Sequence, residues 1–134
     1  MTSDTLARLR MEVERPPFHA VLRPEPVAVE AGTVVIRLRY RPEFRRAPDE
    51  AGYHGGVIAA LIDLTAHSAV AIHVERMVPT VDLRIDYLRA APGTDLIARG
   101  KVLRAGRSIA RADVEVLDAA DTIIAVGRGT YSTL

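Results

Sequence analysis

The 134-residue chain contains no cysteine. It therefore forms no disulfide bonds, has no thiolate nucleophile and offers no cysteine ligands to a metal. Tryptophan is also absent and aromatic residues make up only 4% of the chain, so no aromatic cluster indicates a stacking site. The formal net charge is +1, which leaves no excess charge to attract nucleic acid or an anionic membrane surface.

The N-terminal segment lacks the features of a secretory signal. Residues 1–5 contain neither a basic region nor the beginning of an apolar run. No apolar stretch of the sequence is both long enough and uninterrupted enough to span a bilayer. We therefore expect a cytoplasmic protein that binds neither membrane nor nucleic acid.

Apolar residues make up 49% of the chain, which is enough to give one domain, residues 1–134, a real core. A short helix is predicted at about residues 3–12, capped by Ser3 or Asp4. The apolar segment 56–74 is too long for a strand and predicts a helix. Alternating or short β-like segments predict strands at 34–40, 80–88, 95–104, 107–117 and 122–131.

This order of elements predicts an α+β fold in which an antiparallel sheet wraps around one long central helix. Such a sheet has two unpaired edges and, in a chain of this size, one incompletely covered face. Pairing between copies of the chain would cover both. We therefore expect a homo-oligomer, either a dimer or a homotetramer.

The most informative segment is the start of the long helix. Gly55 and Gly56 have no side chain, so a ligand can approach their backbone closely. The first N–H groups of a helix have no acceptor inside the helix and lie at the positive end of its dipole. Such groups can stabilise the oxyanion that forms when a carbonyl becomes tetrahedral. The segment therefore predicts an anion-binding helix start.

Asp63 is the only formally charged side chain between Tyr53 and Val74. At roughly 100° per residue it lies on the same helix face as Gly56 and His67. A buried carboxylate needs a partner or a catalytic purpose, and beside an electrophilic carbonyl it can act as nucleophile or general base. A Gly-Gly pair alone is usually a turn, and a lone aspartate usually has a structural partner. Their combination on one helix makes catalysis a hypothesis to test.

The segment His54-Gly55-Gly56 followed by Asp63 resembles the HGG…D signature of hotdog-fold acyl-CoA thioesterases of the phenylacetic-acid-degradation (PaaI-like) type. The resemblance extends over nearly the whole chain. It implies the hotdog fold and hydrolysis of an acyl-CoA or aryl-CoA thioester. Coenzyme A would then be part of the substrate, and no separate cofactor is expected.

The resemblance also implies roles for individual residues. Asp63 would be the nucleophile or general base, and the N–H of Gly55 would bind the oxyanion. His54 would orient the substrate or a neighbouring loop, and Thr80 would place water or Asp63. Because the family's site lies between subunits, Asp63 and Thr80 could come from different protomers.

Further residues are predicted to contact the substrate. The pantetheine arm is expected along the strand that contains Val81, and Arg104 and Arg107 are candidates to meet the coenzyme A phosphates, although such arginines are more often surface charges. His67 could line the pocket or be an interior histidine. No spacing of histidine and acidic residues suits a metal, so none is predicted. Gly56 and Tyr53 complete the predicted lining.

One segment departs from the family pattern. Relatives place Asn or Gln about six residues before the His and Gly three before it, whereas here Gly52 is one residue closer to His54. Asp49 or Glu50 stands where the amide would be. A carboxylate accepts hydrogen bonds but does not donate them, and one that approached Asp63 would repel its charge.

Three functions are therefore compared. The leading hypothesis is an acyl-CoA thioesterase. The second is a non-catalytic protein that binds acyl-CoA or aryl-CoA esters, which the altered loop at 49–50 would favour. The third is a hotdog hydratase or dehydratase, which ranks last because the His–acid pair of those enzymes is not found in the expected sequence setting.

Overall fold

A computed structural model describes residues 3–134 of the chain. Within that range the α-helices are Ser3–Glu14 (α1), His19–Leu22 (α2) and Gly55–Val74 (α3), with one 3₁₀ turn at Pro42–Phe44. The strands are Glu25–Glu30 (β1), Thr33–Leu38 (β2), Thr80–Tyr87 (β3), Leu96–Ala105 (β4), Ile109–Leu117 (β5) and Ile123–Ser132 (β6).

The predicted α+β arrangement with one long central helix is confirmed. The N-terminal helix extends two residues beyond the predicted end at 12, and the Arg15 N–H still donates to Met11 O at 3.0 Å before Pro16 interrupts the pattern. Asp4 lies in the first turn of α1 and does not precede it. Residues 1 and 2 of the predicted domain lie outside the described range.

The six strands form one antiparallel sheet in the order β1-β2-β4-β5-β6-β3. Strands β1 and β3 are therefore its edges. On β3, Val81 is 61% exposed, so this edge presents both unpaired backbone and apolar side chains. An edge of this kind can pair with a second strand.

Helix α3 packs against one face of the sheet and forms the centre of the core. Leu61 and Ile62 are fully buried, and each such side chain contributes about 1.5–3 kcal/mol to folding. The helix can approach β6 closely because Gly127 has no side chain. A Cβ there would lie only 2.5 Å from Ile62 Cγ2. Side chains on the remaining face of α3, including Asp63, are thereby held at a fixed height above the sheet.

One described helix, α3, is long and apolar enough to cross a membrane, which corrects the expectation that no stretch of the sequence is long and uninterrupted enough to do so. Of its most apolar window, 56% is buried inside the protein, as expected for the core helix of a folded domain. The cytoplasmic location stays a prediction.

Strand β3 lies beside the first half of α3 and contacts it both at the helix start and at Asp63. At one end, the Tyr87 hydroxyl donates to Gly55 O at 2.7 Å. At the other end, the Thr80 hydroxyl donates to Asp63 Oδ1 at 3.0 Å. The edge strand therefore lies beside both of the positions that the sequence singled out.

Candidate active site

The start of α3 is capped by the side chain of His54. This residue has an extended backbone (φ −63°, ψ 135°), and its Nδ1 accepts a hydrogen bond from the Gly56 N–H at 2.8 Å. The His54 N–H in turn donates to Phe44 O at 2.7 Å. A Cβ at Gly56 would lie 2.9 Å from His54 Nδ1, so glycine leaves the room that the cap needs. The cap satisfies one of the N–H groups that a helix start leaves without an acceptor.

The Gly55 N–H is left unpaired by this arrangement. The Gly56 N–H donates to the cap and the Val57 N–H donates to His54 O at 3.0 Å, whereas the Gly55 N–H has no acceptor in residues 3–134. The Tyr87 ring lies 3.5 Å from the place where a Gly55 Cβ would be. The helix start thus offers a free donor at the positive end of its dipole.

The Asp63 carboxylate is held by two hydroxyl groups. Its Oδ1 accepts hydrogen bonds from Thr80 Oγ1 at 3.0 Å and from the Tyr131 hydroxyl at 2.9 Å. The same Tyr131 hydroxyl is 3.0 Å from the backbone O of Asp63. Within the described part of the chain, Oδ2 accepts no hydrogen bond and Asp63 forms no ion pair. One carboxylate oxygen is fixed and the other is available.

Asp63 faces a groove of about 620 Å³, a volume within the range of small-molecule sites. Its walls come from the α1–α2 connection, from α3 and from the segment before β3. Phe18 and Met77 are 57% and 56% exposed along it, so apolar surface lies open beside the carboxylate. The lining residues are Arg15, Pro16, Pro17, Phe18, His19, Ala60, Asp63, Leu64, His67, Met77, Val78, Pro79 and Thr80.

His67 lines the same groove, one helical turn after Asp63. Its ring makes an edge contact with the Tyr131 ring, with centroids 6.0 Å apart. Burial lowers the pKa of His67, although the negative charges of Glu12 and Asp63 oppose the shift. At pH 7 the imidazole is therefore mainly neutral. Glu12 is itself buried and is paired with Arg15 at 2.8 Å.

Gly55 and Asp63 of one chain are too far apart to contact the same carbonyl group. They are eight residues apart on a straight helix, which is about 12 Å along its axis at 1.5 Å per residue. Thr80, in contrast, contacts Asp63 within one chain. This corrects the expectation that Thr80 and Asp63 could come from different protomers.

The loop before the helix does not bring a second carboxylate to Asp63. Glu50 forms an ion pair with Arg46, which lowers the pKa of Glu50, and its side chain is half exposed. Asp49 is exposed, with no hydrogen bond or ion pair to Asp63. The repulsion considered from the sequence is therefore absent within one chain.

Four other predicted residues lie away from the Asp63 groove. Tyr53 is 4% exposed, and its hydroxyl donates to Thr94 O at 2.9 Å, so it belongs to the core and not to a substrate pocket. Val81 is exposed on the edge strand. Arg104 lines a separate groove near the end of α3, and Arg107 lies in the exposed β4–β5 turn.

Two parts of the site were not predicted. The sequence places Tyr131 only at the end of the last predicted strand, and it predicts no role for residues 15–19. One signal for Tyr131 was available: it follows Gly129 at a spacing of two, which places both on one face of a strand. The position of residues 15–19 depends on how α1 and α2 pack, and no local sequence pattern predicts that these residues line the groove.

Within residues 3–134, no three histidine, aspartate or glutamate side chains are grouped as metal ligands would be. The described hydrogen-bond partners of the Asp63 carboxylate are hydroxyl groups, which are weak candidates for a zinc site. The absence of a metal and of a separate cofactor stays a prediction.

The sequence profile of the Thioesterase superfamily matches residues 53–125. The match covers more than half of the chain and includes the capped helix start, Asp63 and Thr80. The chain belongs to the thioesterase superfamily. The predicted hotdog fold and the predicted class of enzyme, a thioester hydrolase, are thereby confirmed.

Individual relatives agree with this assignment. The X-ray structure of another protein of the thioesterase superfamily has a TM-score of 0.93 and 32% identity, covering 98% of this chain and all of that one. A Halobacterium salinarum protein that carries an esterase name is 38% identical over 75% of this chain and 73% of its own length. The medium/long-chain acyl-CoA thioesterase YigI of Escherichia coli is 36% identical over 58% of this chain and 60% of its own length. None of these three singles out the PaaI-like subtype.

Proposed function

We propose that the protein hydrolyses acyl-CoA thioesters to a free acid and coenzyme A, with Asp63 as nucleophile or general base. The observation that supports this most is the state of its carboxylate. Oδ1 is held by two hydroxyl groups, while Oδ2 has no partner in the described chain and the side chain lines an open groove. A carboxylate fixed at one oxygen and free at the other is suited to attack or to accept a proton.

Both routes give the same products. As general base, Asp63 takes a proton from water while the water oxygen bonds to the thioester carbon. The C–S bond then breaks, and the coenzyme A sulfur takes up the proton. As nucleophile, Asp63 bonds to the carbonyl carbon and displaces coenzyme A as its thiolate. Water then hydrolyses the mixed anhydride, which restores the carboxylate and supplies the proton that the thiolate takes up. In either route the carbonyl oxygen becomes an oxyanion that needs donors.

The Gly55 N–H is the proposed oxyanion donor, and it would come from a second copy of the chain. The separation of about 12 Å along α3 prevents one chain from supplying both groups to one carbonyl. A partner that pairs along the exposed β3 edge would place its own helix start near Asp63. We therefore propose a homo-oligomer built from such dimers, with a homotetramer as the larger assembly. His54 then acts by holding the helix start, and Gly56 by leaving room for that cap.

The groove beside Asp63 supports a hydrocarbon acyl group. Pro16, Phe18, Leu64 and Met77 give it apolar walls, and burying each methylene group contributes about 0.8 kcal/mol. The name of YigI specifies medium and long chains for that relative. We propose medium or long acyl chains as the preferred substrates here.

The coenzyme A phosphates would meet basic side chains outside the groove. Arg104 and Arg107 have no acidic partner within residues 3–134, so both are available for this role. Val81 on the β3 edge would border the pantetheine arm. A cytoplasmic location completes the proposal.

A panel of acyl-CoA and aryl-CoA esters with a thiol-trapping dye tests the function. Wild type should release thiol fastest from medium or long acyl chains, and Asp63→Asn should lower kcat by about 10²- to 10⁴-fold. Asp121→Asn is the matched control, because it makes the same chemical change at an exposed turn residue with φ 60°, which asparagine tolerates. Equal rates for Asp63→Asn and wild type would remove Asp63 from the mechanism. Binding of the esters without thiol release would instead support a non-catalytic binding protein.

A further inference from the structure

We infer that Tyr131 is a positioning residue for this hydrolysis, which holds Asp63 so that Oδ2 and not Oδ1 meets the reacting carbonyl or water. The inference rests on the proposed function and adds a residue to it. Tyr131 is fully buried, lies 68 positions after Asp63 in the sequence and does not itself line the groove. It would act through the carboxylate and would not touch the substrate.

The first observation is that the Tyr131 hydroxyl joins the Asp63 side chain to the Asp63 backbone. It is 2.9 Å from Oδ1 and 3.0 Å from the backbone O. A carboxylate attached in this way to a rigid helix has little freedom to rotate about its side-chain bonds. Hydrogen bonds to an ionised acceptor are also about twice as strong as neutral ones. The orientation of the carboxylate is therefore set by a buried group.

The second observation is the space that Gly129 provides for the Tyr131 ring. Both residues are on one face of β6, and the ring folds back over the glycine. A Cβ at Gly129 would lie 2.4 Å from the Tyr131 hydroxyl oxygen and 2.5 Å from Cε2. Any larger residue there would displace the ring. On another side, the His67 ring packs against it at 6.0 Å between centroids.

The third observation is that strand pairing brings the two hydroxyl donors together. Thr80 on β3 is the direct cross-strand partner of Tyr131 on β6, and both donate to Oδ1. Burial and the charge of Asp63 raise the pKa of Tyr131, so the phenol keeps its proton and remains a donor over the working pH range. Thr80 is exposed, whereas Tyr131 is enclosed, so Tyr131 is the more constrained of the two donors.

The test is Tyr131→Phe, which keeps the ring and removes only the hydroxyl group. We expect kcat to fall about 10- to 100-fold, the effect of losing a hydrogen bond to a charged group, with KM changed less than about twofold. Tyr40→Phe is the matched control, because it also removes one tyrosine hydroxyl, but from a contact with the Gly52 N–H at 3.3 Å, away from Asp63. In an Asp63→Asn background, Tyr131→Phe should lower the residual rate no further.

A purely structural role for Tyr131 predicts different results. It would lower stability while leaving kcat unchanged, and its effects would add to those of Asp63→Asn. Gly129→Ala gives a second measurement: it should lower kcat in the wild-type background and have little further effect on kcat in Tyr131→Phe.

Carbon-13 NMR of the Asp63 carboxyl carbon follows the same contact without turnover. Its signal should move on Tyr131→Phe and not on Tyr40→Phe. Normal wild-type turnover that Tyr131→Phe leaves unchanged would overturn the inference alone. A wild-type protein that releases no thiol from any ester would overturn the proposed function and the inference together.

Discussion

The two functional positions on α3, the helix start and Asp63 near its middle, are held by different kinds of contact. At the helix start, the cap joins residues two or three positions apart: the Gly56 N–H donates to His54 Nδ1 and the Val57 N–H to His54 O. At Asp63, the partners are 17 and 68 positions away, on β3 and β6. The helix start is therefore capped by neighbouring residues, with the Tyr87 hydroxyl on β3 as an added distant contact, whereas both described partners of the carboxylate lie on the assembled sheet. Changes at the helix start should therefore alter activity while costing at most about 1 kcal/mol of stability.

The sharpest way to test this difference is Gly55→Pro. Proline is tolerated at the first position of a helix, and the extended backbone of His54 is the conformation that a residue before proline adopts. The substitution removes the unpaired N–H and adds a ring that the first helical position tolerates, so stability should change little while kcat falls by about 10²- to 10³-fold, the cost of one oxyanion donor. Thiol release checks the loss of kcat, and thermal unfolding of the same sample checks the unchanged stability.

Gly55→Ala is the control for this substitution. It keeps the N–H, and its Cβ would make an ordinary contact of 3.5 Å with Tyr87. Its activity should therefore stay close to that of wild type. If Gly55→Pro is as active as Gly55→Ala, the oxyanion donor lies elsewhere.

A mixed dimer, with a smaller expected effect, tests whether Gly55 of one subunit and Asp63 of the other form one site. A mixed dimer of Gly55→Pro and Asp63→Asn chains has one site with both changes and one site with neither. Coexpressed in equal amounts, the chains should form about half mixed dimers, so about a quarter of all sites should be intact. We expect activity to recover to about a quarter of the wild-type value.

Each variant expressed alone controls for this recovery and should stay inactive. A site built within one chain predicts no recovery in the mixture, since every chain then carries one defect. If a mixed dimer is shown to form and activity does not recover, the shared site is contradicted.

The same contrast explains which features could be predicted from the sequence. The start of α3 was predicted within one residue of Gly55, because a glycine pair followed by a long apolar segment is a local signal. Five of the six described strands were predicted within about two residues of their observed starts for a similar reason, whereas β1 was not predicted. Tyr131 could not be assigned to Asp63, because its position depends on the register of β6 with β3 and on how closely α3 approaches the sheet.

The resemblance named Thr80 but suggested the wrong relation to Asp63. Family patterns fix which residues recur along a chain, whereas the contact between Thr80 and Asp63 within one protomer depends on tertiary packing. The loop at 49–50 shows the same limit. Its acidic residues were visible in the sequence, but the ion pair that turns Glu50 towards Arg46 depends on the shape of the loop.

The smallest expected effect concerns His54, for which the resemblance and the geometry suggest different roles. If His54 acts through its cap, His54→Ala should lower the free energy of unfolding by about 1 kcal/mol, and His54→Asn should restore most of it, because asparagine is a strong N-cap residue. Activity should follow the same order, since the cap holds the helix start that carries the Gly55 N–H. Urea unfolding and thiol release measure the two quantities. Full stability with lost activity in His54→Asn would instead show that the imidazole contacts the substrate. The start of α3 would then contribute a side chain as well as a backbone N–H to the reaction.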